Sequence, residues 1–342
     1  MKNKCIEKIS GAIRIPVKVG IALLVLYWIC RSSAPDLSRG FTTFRYPVLL
    51  PVFLFSLLAA LATAVRWKSL AQMIGIRLSV PEAFSLTMQG IFFSLVIPGG
   101  AIGGDMVKMA ALTRHVRSGN RTEGIFSIFM DRVIGMIALF GLAAAILASG
   151  KKEFYDLHIA KVSETFTGAA VWWILLAACC AGSAAGIMLL FHRQLVGLPG
   201  IKMILDFADR KSSGRISRIL AAADCFQNHR QALCCWILFS IAVIHLLPAV
   251  SMVWLLSGTG TSLPVLTVTR AVIIGNIAGL LPFFPGGIGA RDAVTVALLA
   301  AGGCSLESAA TAQLMATGIM IIFNLTGSVF FIFDRKSPEA AI

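Results

Sequence analysis

The chain has 342 residues, 57% of them hydrophobic and only 13% charged, and its mean hydropathy is +0.84. Such a composition excludes an ordinary soluble domain and reads as an integral membrane protein. The net charge of +14 does not point to nucleic acid, because the basic residues fall in loops between apolar runs, where membrane orientation and anionic headgroups account for them.

Apolar runs long enough to cross a hydrocarbon core as helices recur along the chain, with no alternating strand pattern of the kind a barrel needs. The first predicted crossing, 13–30, contains an apolar run ending near Cys30 that follows Lys2, Lys4, Lys8, Arg14 and Lys18 and has no small-residue cleavage site after it, so it reads as a retained signal anchor. The second, 46–65, runs into AVRW, where Arg66 and Trp67 read as an interfacial anchor at the helix end. An apolar stretch over 83–112 is then broken by Pro98, Gly99 and Gly100, and crossings at 122–148 and 168–191 follow. The segment 192–231 mixes Ile, Leu and Phe with Arg and Lys, as amphipathic helices on a membrane surface do. Crossing 232–257, a second broken stretch at 265–303 with Pro285, Gly286 and Gly287, and a last crossing at 308–333 complete the chain. The predicted fold class is all-α: a polytopic helical membrane protein with six full crossings.

The two broken stretches are either single crossings or re-entrant hairpins, and the distribution of basic residues chooses between them. With hairpins, cytoplasmic loops carry 20 Lys and Arg against 6 outside; with single crossings, each side carries 13. Only the hairpins give the bias that membrane proteins show, and they place both termini in the cytoplasm. Residues 1–167 and 168–342 then form two halves of opposite orientation, an inverted-topology repeat. The sequence supports this independently: PGGAIGGDMVKMAAL from Pro98 and PGGIGARDAVTVALL from Pro285 share seven of 15 residues without a gap, including Asp105 opposite Asp292.

In hydrocarbon an unpaired backbone N–H or C=O costs several kcal/mol, so a PGG break is tolerated only where protein or a water-filled cavity covers it. The helices restarting at about 103 and 289 would aim their N-terminal ends at that interior, where anions are favoured. Gly103, Gly104 and Gly289 join the PGG residues as the candidate helix-break and gating positions. Lys108, Arg132, Arg270 and Arg291 are the candidate anion-binding cations, with Asp105, Asp131 and Asp292 organising them or meeting a cationic headgroup. Asp105 and Asp292 also suit a plain helix cap. Asp105 and Lys108, three apart, can pair on one face, whereas the neighbours Arg291 and Asp292 are not expected to face each other. Asp131 and Arg132, in FMDRVIG, lie inside a crossing, where a charge costs roughly 2.5–3.5 kcal/mol and needs a partner. Gln89, Asn276, Gln313 and Asn324 read as helix–helix hydrogen bonds, and His245 as a satisfied core residue. The eight cysteines show no metal-ligand spacing, and no hydrolase, metalloprotease or nucleotide-binding motif is present, so neither cofactor, metal nor catalytic residue is expected.

AVRW at 64–67, PGGAIGGDMVK at 98–108, MDRVIG at 130–135 and LPFFPGGIGARDA at 281–293 resemble, in this order, the lysylphosphatidylglycerol synthase transmembrane region, a family of flippase-like membrane proteins. The resemblance covers about 15–335 and implies movement of a lipid between leaflets of a bacterial inner membrane. It also implies a lipid partner: an anionic or aminoacylated phospholipid, or another lipid-linked anion. A second copy of the chain or a separate synthase is a further candidate partner. With Ile342 as the last residue, a stand-alone member without the family's soluble synthase domain is expected. The family motifs commonly place an arginine where this chain has Lys108, and Arg-Glu where it has Arg291-Asp292; lysine lacks arginine's two-pronged grip on phosphate. The function expected is therefore a flippase-like lipid transporter. The alternatives are a membrane enzyme, or enzyme subunit, for lipid-linked glycosyl or aminoacyl transfer, and a structural partner of another membrane protein.

Overall fold

A computed structural model of the chain describes residues 40–97, 100–115, 121–149, 168–191, 203, 209–210, 224–280 and 287–333. The expected first crossing at 13–30, most of the basic linker, and Pro98, Gly99, Pro285 and Gly286 lie outside the described residues.

The described residues are helical, in ten α-helices: α1 Leu49–Met73, α2 Val80–Val96, α3 Ala101–His115, α4 Arg121–Ser149, α5 Gly168–Leu190, α6 Arg230–Phe239, α7 Leu247–Gly258, α8 Val265–Ala278, α9 Ala290–Ala301 and α10 Leu306–Ile332. A π-helical turn, Ser240–His245, joins α6 to α7, so that Arg230–Gly258 is one apolar rod. Five segments are long and apolar enough to span a membrane: Tyr46–Met73, Glu123–Ser149, Ala170–Leu190, Arg230–Gly258 and Leu306–Ile332. The protein is thus an all-α, multi-pass membrane protein, and these five coincide with five of the six crossings read from the sequence.

Local chemistry sets the helix boundaries. Ser79 and Glu82 close a reciprocal capping box at the start of α2, with Glu82 Oε2 accepting from Ser79 N at 2.7 Å. Ser305 Oγ accepts from Ser308 N at 3.1 Å to start α10. Asp292 Oδ2 accepts from Gly289 N at 2.9 Å to start α9, where Gly287 and Gly289 adopt φ of +76° and +95° that other residues avoid.

The broken stretches fold as two antiparallel helix pairs. On α2 and α3, Gly104 lies beside Gly90 and Ser94 while Lys108 lies beside Gly90, so numbering rises on one arm as it falls on the other. A Cβ at Gly104 would run into the Gly90 carbonyl oxygen, so this close approach requires glycine. On α8 and α9, Gly287 and Arg291 meet Gly279, Thr295 meets Gly275, and Gly302 meets Thr267. The arms have 17 and 15 residues in the first pair and 14 and 12 in the second. At about 18–26 Å each, they are shorter than a hydrocarbon core of about 30 Å.

The packing has a regular pattern. In the first half α1 packs on α2 and α4, and α3 on α4; in the second half α7 packs on α8 and α10, and α9 on α10. Across the halves α2 packs on α10 and α8 on α4, while α1 meets α7. One core, containing Leu139, Leu147, Trp172, Leu255, Ile273 and Leu299, ties the long helices together. A second, around Trp67, Leu86, Leu112 and Ile128, seals α1, α2, α3 and α4 on one another.

Candidate functional site

The charges inside the bundle gather in the first half. Arg66, expected at a helix end, instead lies within α1, which runs on to Met73, and it is buried. Its Nε donates to Asp131 Oδ1 at 2.8 Å and its Nη1 to Ser240 Oγ at 2.8 Å. Gly135, one helical turn beyond Asp131, leaves room for this guanidinium: a Cβ there would sit 3.4 Å from Arg66 Nη2. The Gly135 carbonyl also meets His245 Nε2 at 3.0 Å, so the π-turn is attached to α4 at its last residue and, through Ser240 and Arg66, to α1 at its first. Arg132, next along α4, turns the other way, to α3. Its Nε and Nη2 grip Asp105 Oδ2 and Oδ1 at 2.5 and 2.9 Å, and Nη2 approaches the Ala101 carbonyl at 3.4 Å. The FMDRVIG motif is thereby explained residue by residue: Asp131 binds α1, Arg132 binds α3, and Gly135 admits Arg66.

Lys108 completes the group. It is only 5% exposed, and its ammonium lies 3.6 Å from the centroid of the Trp67 ring. That ring is fixed at its edge, because Trp67 Nε1 donates to Ser127 Oγ at 3.1 Å. A desolvated cation over indole gains about 2 kcal/mol, and Asp131 and Asp105 attract the ammonium electrostatically. Lys108 forms no salt bridge among the described residues. Arg66, Lys108 and Arg132 thus face Asp105 and Asp131, three cations against two carboxylates, with one positive charge in surplus.

The centre opens to one side. The Arg132 side chain is 48% exposed, and its Nη1 group has no hydrogen-bond partner among the described residues. Around it, Ile102 and Met106 on α3, each 65% exposed, and Phe129 and Met136 on α4 form an apolar outer surface.

The second break builds a different centre. Asp292, 1% exposed, accepts at Oδ1 from Gln313 Nε2 at 2.7 Å and Thr317 Oγ1 at 2.8 Å, while Oδ2 caps α9. Arg291 does reach its neighbour, contrary to expectation: Nη2 lies 3.2 Å and Nε 3.3 Å from Asp292 Oδ1. The guanidinium folds back over the first turn of α9, where Nη2 also donates to Thr317 Oγ1 at 3.1 Å and Nη1 to Met320 Sδ at 3.0 Å.

Other expected positions separate from these centres. Arg270 caps the far end of α4, with Nη2 3.1 Å from the Ser149 carbonyl. The stretch of α4 between Arg132 and Ser149, about 25 Å at the helical rise, keeps it out of the Lys108 group. Asp105 is not a cap but sits one turn inside α3, and it pairs with Arg132 rather than Lys108. Gly103 and Gly104 lie within α3, which starts at Ala101, rather than at the break itself, and Gly104 packs on Gly90. Gly100, with φ of +56°, is at the break. Gln89 bridges helices as expected, donating to the Phe330 carbonyl at 3.5 Å. Gln313 likewise bridges helices as expected, from α10 to Asp292 on α9, whereas Arg66, Trp67 and Ser240 are site residues that sequence reasoning missed. The signal was there for Arg66: it and Asp131 are opposite charges inside two long apolar spans.

The sequence model of the lysylphosphatidylglycerol synthase TM region matches residues 15–327. The chain belongs to this family. Among curated proteins, no relative matches the chain. All of the charged residues described above, from Arg66 to Asp292, lie within the part matched to the lysylphosphatidylglycerol synthase TM region, and the family is the one that the four sequence motifs resemble.

Proposed function

We propose that this protein binds the phosphate of a membrane lipid at Lys108 and Arg132 and carries it between leaflets. The carrying observation is the surplus positive charge. An ammonium buried with no carboxylate salt bridge among the described residues is costly in a membrane interior, and an anion seated between Lys108 and the outward side of Arg132 balances it. Because Arg132 opens onto apolar surface, a lipid can present its headgroup sideways while its chains stay on Ile102, Met106 and Phe129. Family membership agrees with lipid handling.

In this reading α2–α3 and α8–α9 are re-entrant hairpins that dip in from opposite membrane faces. Their short arms, the matched PGG sequences and the reciprocal packing of α2 on α10 and α8 on α4 support an inverted repeat. A further parallel is that each hairpin aspartate reaches the last helix of its own half, Asp105 to Arg132 and Asp292 to Gln313 and Thr317. The two centres divide the work: the first binds, while the second, with both carboxylate oxygens occupied and all three guanidinium nitrogens engaged, locks α9 to α10. Gly100, Gly287 and Gly289 at the breaks are the hinge positions for alternation between faces.

The test is to purify the protein in native membrane discs and identify the retained lipids by mass spectrometry, for the wild type and a Lys108→Ala, Arg132→Ala double variant. One phosphate lipid enriched over bulk membrane and lost from the variant is expected. Bulk-like lipid in both would overturn the proposal.

A further inference from the structure

Of the five charged groups at the first centre, Lys108 alone can relieve the surplus by changing its own charge. We propose that the empty centre holds Lys108 as a neutral amine and that an anionic lipid binds together with one proton, so that transport is proton-coupled. This rests on the lipid-binding reading above and adds the proton as a second substrate.

The charge count is the first observation. Arg66, Lys108 and Arg132 stand against Asp105 and Asp131, so the group carries one positive charge too many when every side chain has its usual form. Guanidinium groups do not give up a proton in proteins, and a proton gained by either aspartate would enlarge the surplus. Arginines also hold both aspartates as carboxylates, Arg66 at 2.8 Å from Asp131 and Arg132 with two prongs on Asp105. Loss of the Lys108 proton leaves two cations against two carboxylates.

The second observation is the setting of the Lys108 nitrogen. The residue is buried, with Nζ 3.6 Å from the Trp67 centroid and no salt bridge among the described residues. Burial favours the amine, whereas the indole face and the carboxylates favour the ammonium. The charged groups that face it are Asp105 on its own helix, Asp131 and Arg132 on α4, and Arg66 on α1. On α2, which packs along α3, the one titratable residue is Glu82, and it closes the capping box at the helix start. A phosphodiester entering beside Lys108 therefore decides between the two forms. The Nζ lone pair takes a proton from water, and lipid and side chains together sum to zero. Without that proton the complex would hold a buried negative charge in excess, which a low-dielectric interior penalises. One proton then crosses with each lipid, and a pH difference between the two sides drives the anion. Arginine in the same place would bind the anion with no proton to take up.

The experiment titrates the full-length protein in detergent with dioctanoyl phosphatidylglycerol by calorimetry, in pairs of buffers that differ in ionisation enthalpy. The pH runs from about 7 to just below the ordinary lysine value of about 10.4, a range in which the phosphodiester does not titrate. The buffer dependence of the heat counts the protons taken up. Uptake of about one proton per lipid is expected at the alkaline end, with affinity falling there by about tenfold per pH unit. Lys108→Arg is expected to bind the lipid with neither proton uptake nor pH dependence. Wild-type binding without uptake at any pH, or uptake that persists in Lys108→Arg, would overturn the proton inference and leave lipid binding intact. No saturable binding by the wild type at any pH would overturn the lipid-binding reading itself. The wild-type proton count decides the inference even if the variant does not fold.

Discussion

Asp131→Asn removes one member of the most buried ion pair in the first half. Arg66, held by Asp131 at 2.8 Å and Ser240 at 2.8 Å, would keep the serine but exchange a carboxylate for a neutral amide oxygen. The group would change from three cations against two carboxylates to three against one, with Lys108 beside the loss. Breaking a buried pair by removing one partner costs about 3–5 kcal/mol, because the other charge is left uncompensated. Replacing both partners by apolar residues of similar size is often neutral or better. Asp131→Asn and Arg66→Met should therefore each destabilise by about 3–5 kcal/mol, whereas Arg66→Met with Asp131→Leu should recover most of the loss. Unfolding in mixed micelles, analysed as a double-mutant cycle, measures this directly. Single variants within about 1 kcal/mol of the wild type, or losses that simply add in the double variant, would refute the reasoning.

Further outcomes follow from the same contacts. Gly104→Val drives a side chain into the Gly90 carbonyl and should cost about 1–3 kcal/mol in the same unfolding assay; Gly318→Ala, where nothing lies within 4 Å, is the neutral control. Gln313→Leu leaves the buried Asp292 short of a donor and should destabilise by about 1–3 kcal/mol while leaving lipid retention at Lys108 unchanged. Arg270→Met should loosen the end of α4, seen as faster amide exchange near Ser149, without altering the retained lipid. Ser79→Cys and Ser305→Cys, at the starts of α2 and α10, should be labelled by an impermeant thiol reagent from opposite sides of the membrane; labelling from one side would sink the opposed-hairpin topology.

How much of this was legible in the sequence depends on the kind of signal. Long uniform apolar runs identify spans because hydrocarbon admits little else, so the five described crossings match their expected positions to within a few residues at most ends. The end of α1 is the exception. A window ending at Val65 turned Arg66 into an interfacial residue, whereas the helix carries it inward to Asp131, and no local rule announces a partner 65 residues away. The charged motifs were visible because charges are rare in such spans, but their pairing was not. Asp105 had two plausible cations, and the packing of α3 on α4 chose Arg132. The Arg291 contact was misread because side-chain spacing on a regular helix governs Cβ directions, while a long guanidinium at a helix start can fold back onto its neighbour. Gln313 looked like any interhelical amide until α9 brought Asp292 to it.

The central claim is that a lipid crosses between leaflets by way of Lys108 and Arg132. Its most direct test places the purified protein in vesicles of phosphatidylcholine and phosphatidylglycerol containing a tail-labelled fluorescent phosphatidylglycerol, and follows quenching of the label by an impermeant reductant. For the wild type, quenching is expected to pass half of the label towards completion, and for the folded Lys108→Ala protein to stop at the outer leaflet. Quenching that stops at half for the wild type, or that proceeds equally in the variant, would contradict the account.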